Sequence, residues 1–115
     1  MWIMRNMRKQ NNTYWVEIHV AGELSIIEQV CREYCMKGLC VTVTPERFIY
    51  TGGQEDGAVI GLINYPRFPT TQEAVWDSAI ELALAIRDRS CQWSVLVMDH
   101  NYTVWLTNRE DRENG

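Results

Sequence analysis

The sequence predicts a single α+β domain, an antiparallel sheet with two helices on one face, and two observations lead to that fold class. Apolar residues recur with helical spacing in two segments. Four other segments have the pattern of strands, which gives the order strand–helix–strand–strand–helix–strand, and a short fifth strand follows them. Both helices can then cover one face of the sheet through short connections. We therefore expect a ferredoxin-like βαββαβ fold with an extra C-terminal strand.

The first strand, the first helix and the second strand lie in the N-terminal half of the chain. Apolar residues alternate along Thr13–Val20, which predicts a half-buried strand. Glu23–Lys37 has an apolar stripe with the period of a helix, and Gly38 stands where a helix C-terminal glycine belongs. Leu39–Tyr50 reads as the second strand. Because Pro45 cannot donate a hydrogen bond within it, we expect a bulge or an edge position there.

Glycine and proline separate the elements of the C-terminal half. Three glycines predict a hairpin loop over Thr51–Gly57, and Ala58–Tyr65 is the third strand. Thr70 and Glu73 have the spacing of a capping box, so a second helix is expected to begin there. The residues predicted for its buried face are Val75, Ala79, Leu82, Ala83 and Ile86.

Two strands joined by a tight turn end the domain. Trp93–Met98 is the fourth strand, and Thr103–Thr107 is a short fifth strand. The segments before and after the domain are polar and have no clear hydrophobic period. We therefore divide the chain into an N-terminal arm (1–12), one α+β domain (13–108) and a charged C-terminal tail (109–115).

The composition limits which kinds of partner and which cellular compartment are expected. The formal net charge is −4, which argues against a non-specific nucleic-acid binder, because such proteins gain affinity from summed Lys and Arg contacts to phosphates. No apolar stretch in the sequence approaches the roughly 20 residues that a membrane span requires. The cysteines, Cys31, Cys35, Cys40 and Cys91, lack metal-binding spacing, which favours buried free thiols in a reducing cytoplasm. We expect no metal and no cofactor.

The segment Phe48–Pro69 is the strongest candidate for a binding site. Its glycines, Gly52, Gly53 and Gly57, and the nearby Arg67 could hold a phosphate through backbone N–H groups and a guanidinium. The alternative is a hairpin that needs glycine at positive φ, followed by a proline-fixed crossover into the helix. We favour the hairpin for the glycines and leave both interpretations open for Arg67.

One face of the first strand carries an unusual set of side chains. Trp15, Glu17 and His19 point away from the predicted helices. Such a face is either solvated or covered by another subunit. Five tryptophans in the chain favour the second alternative, because aromatic residues are enriched at interfaces, and we expect a homo-oligomer.

No catalytic constellation stands out from the residues. His100 follows Asp99 in a turn, but no Ser or Cys nucleophile is spaced to complete a triad. The adjacent carboxylates Glu55 and Asp56 lie in the predicted hairpin loop, where they usually only solvate the turn. The residues themselves therefore favour a binding protein over an enzyme.

Much of the chain resembles a group of small phage-encoded proteins. The similar stretches are CVTVTPERFIYTGGQEDG, VIGLINYPRFP, QWSVLV and TVWLTNR. The sequence is similar to the phage anti-Thoeris sponge family, whose members sequester cyclic ADP-ribose isomers, and some cyclic oligonucleotides, without cleaving them. The resemblance implies a non-enzymatic oligomer in the cytoplasm of an infected bacterium, with ligand pockets between subunits. It implies ligand contacts from Arg and aromatic side chains, for which the candidates are Arg47, Tyr50, Asn64, Arg67, Phe68, Trp105 and Arg109.

Two alternatives stay open. The second helix followed by SVLVMDHNYT is similar to the C-terminal half of the phage S-adenosylmethionine lyases, which are also small sheet-and-helix oligomers with sites at subunit interfaces. The Tyr and Glu pair of those enzymes has no clear counterpart, since Tyr50 and Glu55 are close together in this sequence. The other alternative is a protein that binds and inhibits a host enzyme, which the acidic net charge fits equally well.

Overall fold

The computed structural model describes residues 8–108, and it has the α+β architecture that the sequence predicts. Its elements are, in chain order, β1 Trp15–Ala21, α1 Leu24–Cys35, β2 Thr42–Tyr50, β3 Gly53–Ile63, α2 Gln72–Arg89, β4 Ser94–Met98 and β5 Thr103–Thr107. The strands form one antiparallel sheet in the order β2-β3-β1-β4-β5, with both helices packed on it. This confirms the ferredoxin-like fold with an added strand. The predicted tail, 109–115, lies outside the described residues.

Strand β1 shows how the sheet separates a buried face from an open one. Val16, Ile18 and Val20 are buried, whereas the residues between them are partly exposed. This confirms the predicted alternation, because residues i and i+2 of a strand share a face. The buried side chains belong to the core beneath the helices. Burying each of them fully stabilises the fold by roughly 1.5–3 kcal/mol.

Helix α2 lies at the centre of the packing, against α1 and against β1, β3 and β4. All the residues predicted for its core face are buried: Val75, Ala79, Leu82, Ala83 and Ile86. Small side chains at two of these positions allow the helix to approach the sheet closely. Within the described part of the chain, neither helix combines the length and the apolar composition that crossing a membrane requires.

Glycine and threonine define the helix ends. Gly38 has φ +104° and donates its N–H to a carbonyl of the last turn of α1, as predicted for a C-terminal glycine. Helix α2 is capped by Thr71, whose Oγ1 accepts a hydrogen bond from the N–H of Ala74 at 3.1 Å. The prediction that Thr70 caps this helix is wrong. The N–H of Thr70 is instead donated to the side chain of Asn64 in the preceding loop, and the helix begins later.

The β2–β3 hairpin is longer and has a tighter turn than predicted. Strand β3 begins at Gly53, which leaves a two-residue turn with Gly52 at φ +84°. The predicted loop Thr51–Gly57 is wrong, because its last five residues pair with β2. Strand β1 ends opposite Gly57, so the tip of the hairpin extends beyond β1. Strand β2 lies at an edge of the sheet, which is one of the two positions predicted for Pro45.

The cysteines differ in their exposure. All four thiols are free, but only Cys31 is buried, where burial raises its pKa to about 11. The prediction of buried thiols is wrong for Cys40 and Cys91, which are exposed. Both lie in connections between elements, and connections run over the surface of a domain.

A buried carboxylate ties the β4–β5 turn to α2. Asp99 accepts hydrogen bonds from Trp76 Nε1 at 2.7 Å and from Gln72 Nε2 at 2.8 Å, both on α2. It also accepts from the backbone N–H groups of Asn101 and Tyr102. Burial raises the pKa of Asp99, but these hydrogen bonds to the ionised carboxylate outweigh burial and hold the pKa below its usual range. The role of Asp99 is therefore structural.

We expect Asp99→Asn to destabilise the fold by about 2 kcal/mol at neutral pH, because the part-buried side-chain donors on α2 lose a charged acceptor. The measurement is urea unfolding followed by circular dichroism, with Asp77→Asn on the exposed side of α2 as control. The folded pKa of Asp99 lies below the unfolded value, so its contribution is present above about pH 3.9 and is lost as the pH falls through the folded pKa. A difference between wild type and variant that stays constant into acid contradicts this account.

Candidate functional site

The face of the sheet away from the helices, here called the open face, carries acidic and aromatic side chains. Alternate residues of each strand point to it. Its charged and aromatic members in β1, β2, β3 and β5 are Trp15, Glu17, His19, Glu46, Phe48, Tyr50, Glu55 and Trp105. Within the five strands described, no lysine or arginine points to this face. The open face is therefore electronegative.

His19 lies between two carboxylates on the open face. Its Nδ1 is 2.9 Å from Glu46 Oε1, and its Nε2 is 3.2 Å from Glu17 Oε1. Glu17 is two residues away on β1, whereas Glu46 reaches His19 from β2, across the intervening strand β3. Glu46 stands opposite Gly57 of β3, where the missing side chain leaves the space open. Among residues 8–108, no group of three or more His, Cys, Asp or Glu side chains is placed to hold a metal ion.

Glycines on β3 let the side chains of β2 lie over the sheet. A Cβ at Gly53 would be 2.9 Å from the ring of Tyr50, and a Cβ at Gly57 would be 2.8 Å from the ring of Phe48. The two rings thus occupy the space that side chains on β3 would fill. The interpretation of the glycines as positive-φ turn residues holds for Gly52 and is wrong for the other two, which lie within a strand.

Four aromatic side chains line a cavity of about 420 Å³ on the open face. They are Phe48, Tyr50, Trp93 and Trp105, and the other lining residues include His19, Ala21, Glu55, Gln92 and Leu96. This cavity, here called the aromatic cavity, falls within the range of small-molecule sites, about 300–1,000 Å³. Of the predicted ligand-binding residues, Tyr50 and Trp105 meet here.

A larger hollow, of about 790 Å³, is lined by residues from both faces of the β2–β3 hairpin. Arg47, another predicted ligand-binding residue, lines it, and its Nε is 3.2 Å from Asp56 Oδ1 on the neighbouring strand. The hollow shares Glu55 and Gln92 with the aromatic cavity, but its described lining has no aromatic ring. We therefore place the candidate site in the aromatic cavity.

The predicted ligand-binding residue Asn64 connects two backbone segments. It is buried, and its side chain accepts a hydrogen bond from the N–H of Thr70 at 2.8 Å and donates one to the carbonyl of Asn12 at 2.8 Å. Its own N–H is donated to the carbonyl of Tyr14. The side chain thereby holds the segment before β1 against the loop before α2.

Arg67 and Phe68 lie together, but far from the aromatic cavity. The Arg67 guanidinium is 5.5 Å from the centre of the Phe68 ring. Phe68 lines a separate cavity of about 130 Å³ beside Ile63. Ile63 pairs with the first residue of β1, whereas the aromatic cavity includes its last residue, Ala21, some 20 Å away at about 3.3 Å per residue. The remaining predicted residue, Arg109, lies outside the described residues.

Sequence reasoning misses Glu46, Phe48 and Glu55, although a signal for two of them exists. Glu46 and Phe48 alternate with their neighbours along β2, so a period of two places them on the same face as Tyr50. Glu55 is harder to find, because the sequence assigns it to a loop. Only the strand pairing places it opposite Phe48.

Solved structures with this fold exist, although no family model and no curated protein matches the chain. A phage SAM lyase in its apo state superposes with a TM-score of 0.70 at 16% sequence identity, over 91% of this chain and 98% of that chain. A phage SAM lyase in complex with S-methyl-5′-thioadenosine gives a TM-score of 0.66 at 17% identity, over 90% of this chain and 96% of that chain. The likeness shows that this chain has the fold of those proteins.

This likeness corrects the resemblance drawn from the sequence. The chains that share the fold over almost their whole length are lyases, so the assignment to the anti-Thoeris sponge family is wrong. The expectations of a non-enzymatic protein and of cyclic ADP-ribose sequestration are wrong with it. The open face offers a physical reason, because its three glutamates would repel the phosphates of such a ligand.

We expect Gly57→Ala to destabilise the fold by about 1–3 kcal/mol, as overpacking does in a well-packed region. The new methyl group would run into the carbonyl oxygen of Val20 and lie 2.8 Å from the Cα of Ala21, so β1 and β3 would have to separate. Gly61→Ala is the matched control, because its Cβ would meet the side-chain oxygen of Thr42, which can rotate away. Urea unfolding compares the two variants, and equal losses contradict this account.

Proposed function

We propose that the chain cleaves S-adenosylmethionine and releases S-methyl-5′-thioadenosine, with the aromatic cavity as its site. The observation that supports this proposal most strongly is the match between the ligand and the open face: its aromatic cavity offers rings for an adenine, and its glutamates offer carboxylates for a cation. The fold adds support, since the similar solved structures are phage SAM lyases, one of them in complex with this thioether. The lyase alternative raised by the sequence thus becomes the main hypothesis.

The charge of the open face suits S-adenosylmethionine. This molecule carries a sulfonium and an ammonium group against one carboxylate, so its net charge at neutral pH is positive. Glu17, Glu46 and Glu55 point to the open face. Each opposite-charge pair at 4 Å contributes about 1 kcal/mol in water, and more where water is partly excluded. We assign the ammonium group to Glu17 and Glu46, on either side of His19.

Aromatic side chains from both edge strands are placed to hold the adenine. Tyr50 of β2 and Trp105 of β5 are each about half exposed, so their rings are accessible to a ligand in the cavity. Stacking a base on such a ring contributes roughly 1–3 kcal/mol. Phe48 lies lower, over Gly57, and forms part of the floor.

The arrangement favours a reaction that needs no proton transfer. Both ring nitrogens of His19 face carboxylates, so neither is turned towards a substrate as a general base. The carboxylate of S-adenosylmethionine can instead attack the carbon that joins its own side chain to the sulfur. A C–O bond forms, the C–S bond breaks, and its electron pair goes to sulfur, which gives a lactone and a neutral thioether. Orientation of the two reacting groups, worth up to about 7–11 kcal/mol, is then the main task of the site.

We also propose that the chain forms a homo-oligomer through the open face. Tyr50, Trp93 and Trp105 line one cavity there and are each about half exposed, and monomers rarely leave large apolar patches uncovered. A second copy would cover these rings and exclude water from the cavity. Size-exclusion chromatography with light scattering is expected to report a dimer or a larger assembly, and the mass of a single chain contradicts this part.

Incubation with S-adenosylmethionine is expected to yield S-methyl-5′-thioadenosine and homoserine lactone, detected by liquid chromatography and mass spectrometry. Trp105→Ala should lower kcat/KM by about tenfold or more, because it removes a stacking surface worth roughly 1–3 kcal/mol. Phe68→Ala is the matched control, since it removes another exposed ring, near the other end of β1, and should leave kcat/KM unchanged.

The outcomes separate the parts of the proposal. Substrate recovered intact from the wild-type protein contradicts the lyase function. Vinylglycine in place of the lactone keeps the cleavage but contradicts the proton-free route, since elimination requires a base. Equal losses in the Trp105 and Phe68 variants keep the activity but contradict the assignment of the site to the aromatic cavity.

A further inference from the structure

We infer that the aromatic cavity selects its ligand by the positive charge on sulfur, with Glu55 as the specificity-determining residue. This inference rests on the proposed function. The sulfonium of S-adenosylmethionine and the neutral sulfur of S-adenosylhomocysteine sit in nearly the same molecular shape. A cavity that discriminates only by shape binds both molecules with equal affinity, whereas a cavity that discriminates by charge binds the sulfonium more tightly.

The first reason is that Glu55 shares one cavity with four aromatic side chains. It stands opposite Phe48 in the β2–β3 pairing, and Tyr50 lies two residues further along β2 on the same face. The face of an aromatic ring carries negative potential and attracts a cation within about 6 Å of its centre. A carboxylate beside several rings therefore suits a weakly hydrated cation such as a sulfonium better than a neutral thioether.

The second reason is that none of the ion pairs among the described residues involves Glu55. The lining of the aromatic cavity includes no lysine and no arginine. Arg47 is close in sequence, but it points to the other side of the hairpin, where it pairs with Asp56. The ring nitrogens of His19 face Glu17 and Glu46 rather than Glu55.

The assignment has a kinetic consequence that a merely structural role would lack. As the C–S bond breaks, sulfur takes the electron pair, so its positive charge falls towards the transition state and is absent from the product. Glu55 therefore stabilises the bound substrate more than the transition state, and such an interaction lowers KM without raising kcat. Glu55→Gln should raise KM by about two- to fivefold, the range for a solvated charge pair, while kcat stays equal or rises.

The matched control is Asp56→Asn. It makes the same change of charge one residue along the chain, on the side of the hairpin that faces Arg47. Its KM and kcat are expected to equal those of the wild type. A rise of KM in both variants assigns the effect to the net charge of the hairpin and overturns the inference.

Binding of two analogues that are not cleaved provides a test that does not depend on any variant. S-adenosylhomocysteine has a neutral sulfur, whereas in sinefungin a carbon atom that carries a cationic amine replaces the sulfonium sulfur and its methyl group. Calorimetry with the wild-type chain should show sinefungin binding about two- to fivefold more tightly, as a solvated charge pair requires. Glu55→Gln should remove most of that preference.

The results distinguish failure of this inference from failure of the proposed function. Equal affinity of the wild type for both analogues, an unchanged KM in Glu55→Gln, or a lower kcat at constant KM overturns the inference. If S-adenosylmethionine is still cleaved, the lyase function stands. If it is not cleaved and neither analogue binds, the proposed function fails, and the inference fails with it.

Discussion

The open face depends on one steric constraint, the missing side chain at Gly57 of β3. Cross-strand neighbours normally stand side by side with their Cβ atoms about 4.5–5.5 Å apart. Here the ring of Phe48 lies over the glycine instead, and Glu46 reaches across the same strand to His19. Gly53 makes the same room for the next ring along β2. The glycines of β3 therefore determine where the floor of the aromatic cavity lies. They also leave the space through which Glu46 contacts His19.

The two faces of the sheet divide stability and function between them. The helix-covered face holds the apolar core, and Asp99 fastens the β4–β5 turn to α2 on that side. The open face contributes no side chain to the buried apolar core, so we expect substitutions there to affect binding more than stability. Gly57 is the exception, because a methyl group at that position would force β1 away from β3. Both the packing of the sheet and the shape of the site require that this residue has no side chain.

The fold could be predicted from the sequence because its signals are local. Alternation along β1 and the apolar stripes of the two helices each require one buried face, and two layers satisfy them all. The site could not be predicted to the same extent. A glycine serves a positive-φ turn or a close approach of neighbouring side chains, and only strand pairing shows that Gly57 belongs to the second kind. Likewise, the prolines around Arg67 and Phe68 predict a fixed loop. Only the tertiary structure shows that this loop and Tyr50 lie near opposite ends of β1.

The distribution of charge, rather than its sum, decides which ligands the open face can hold. A net charge of −4 does not show where the charges lie, and arginines near aromatic residues suggest an anion. In the structure Arg47 is balanced by Asp56 on the far side of the hairpin, whereas three glutamates share the open face with aromatic rings. Such a face therefore favours a cationic group, such as a sulfonium, over a neutral group of the same shape. Under the proposed lyase function, cleavage removes the positive charge from sulfur, so the thioether product would lose that contribution to binding while it keeps the stacking on the aromatic rings.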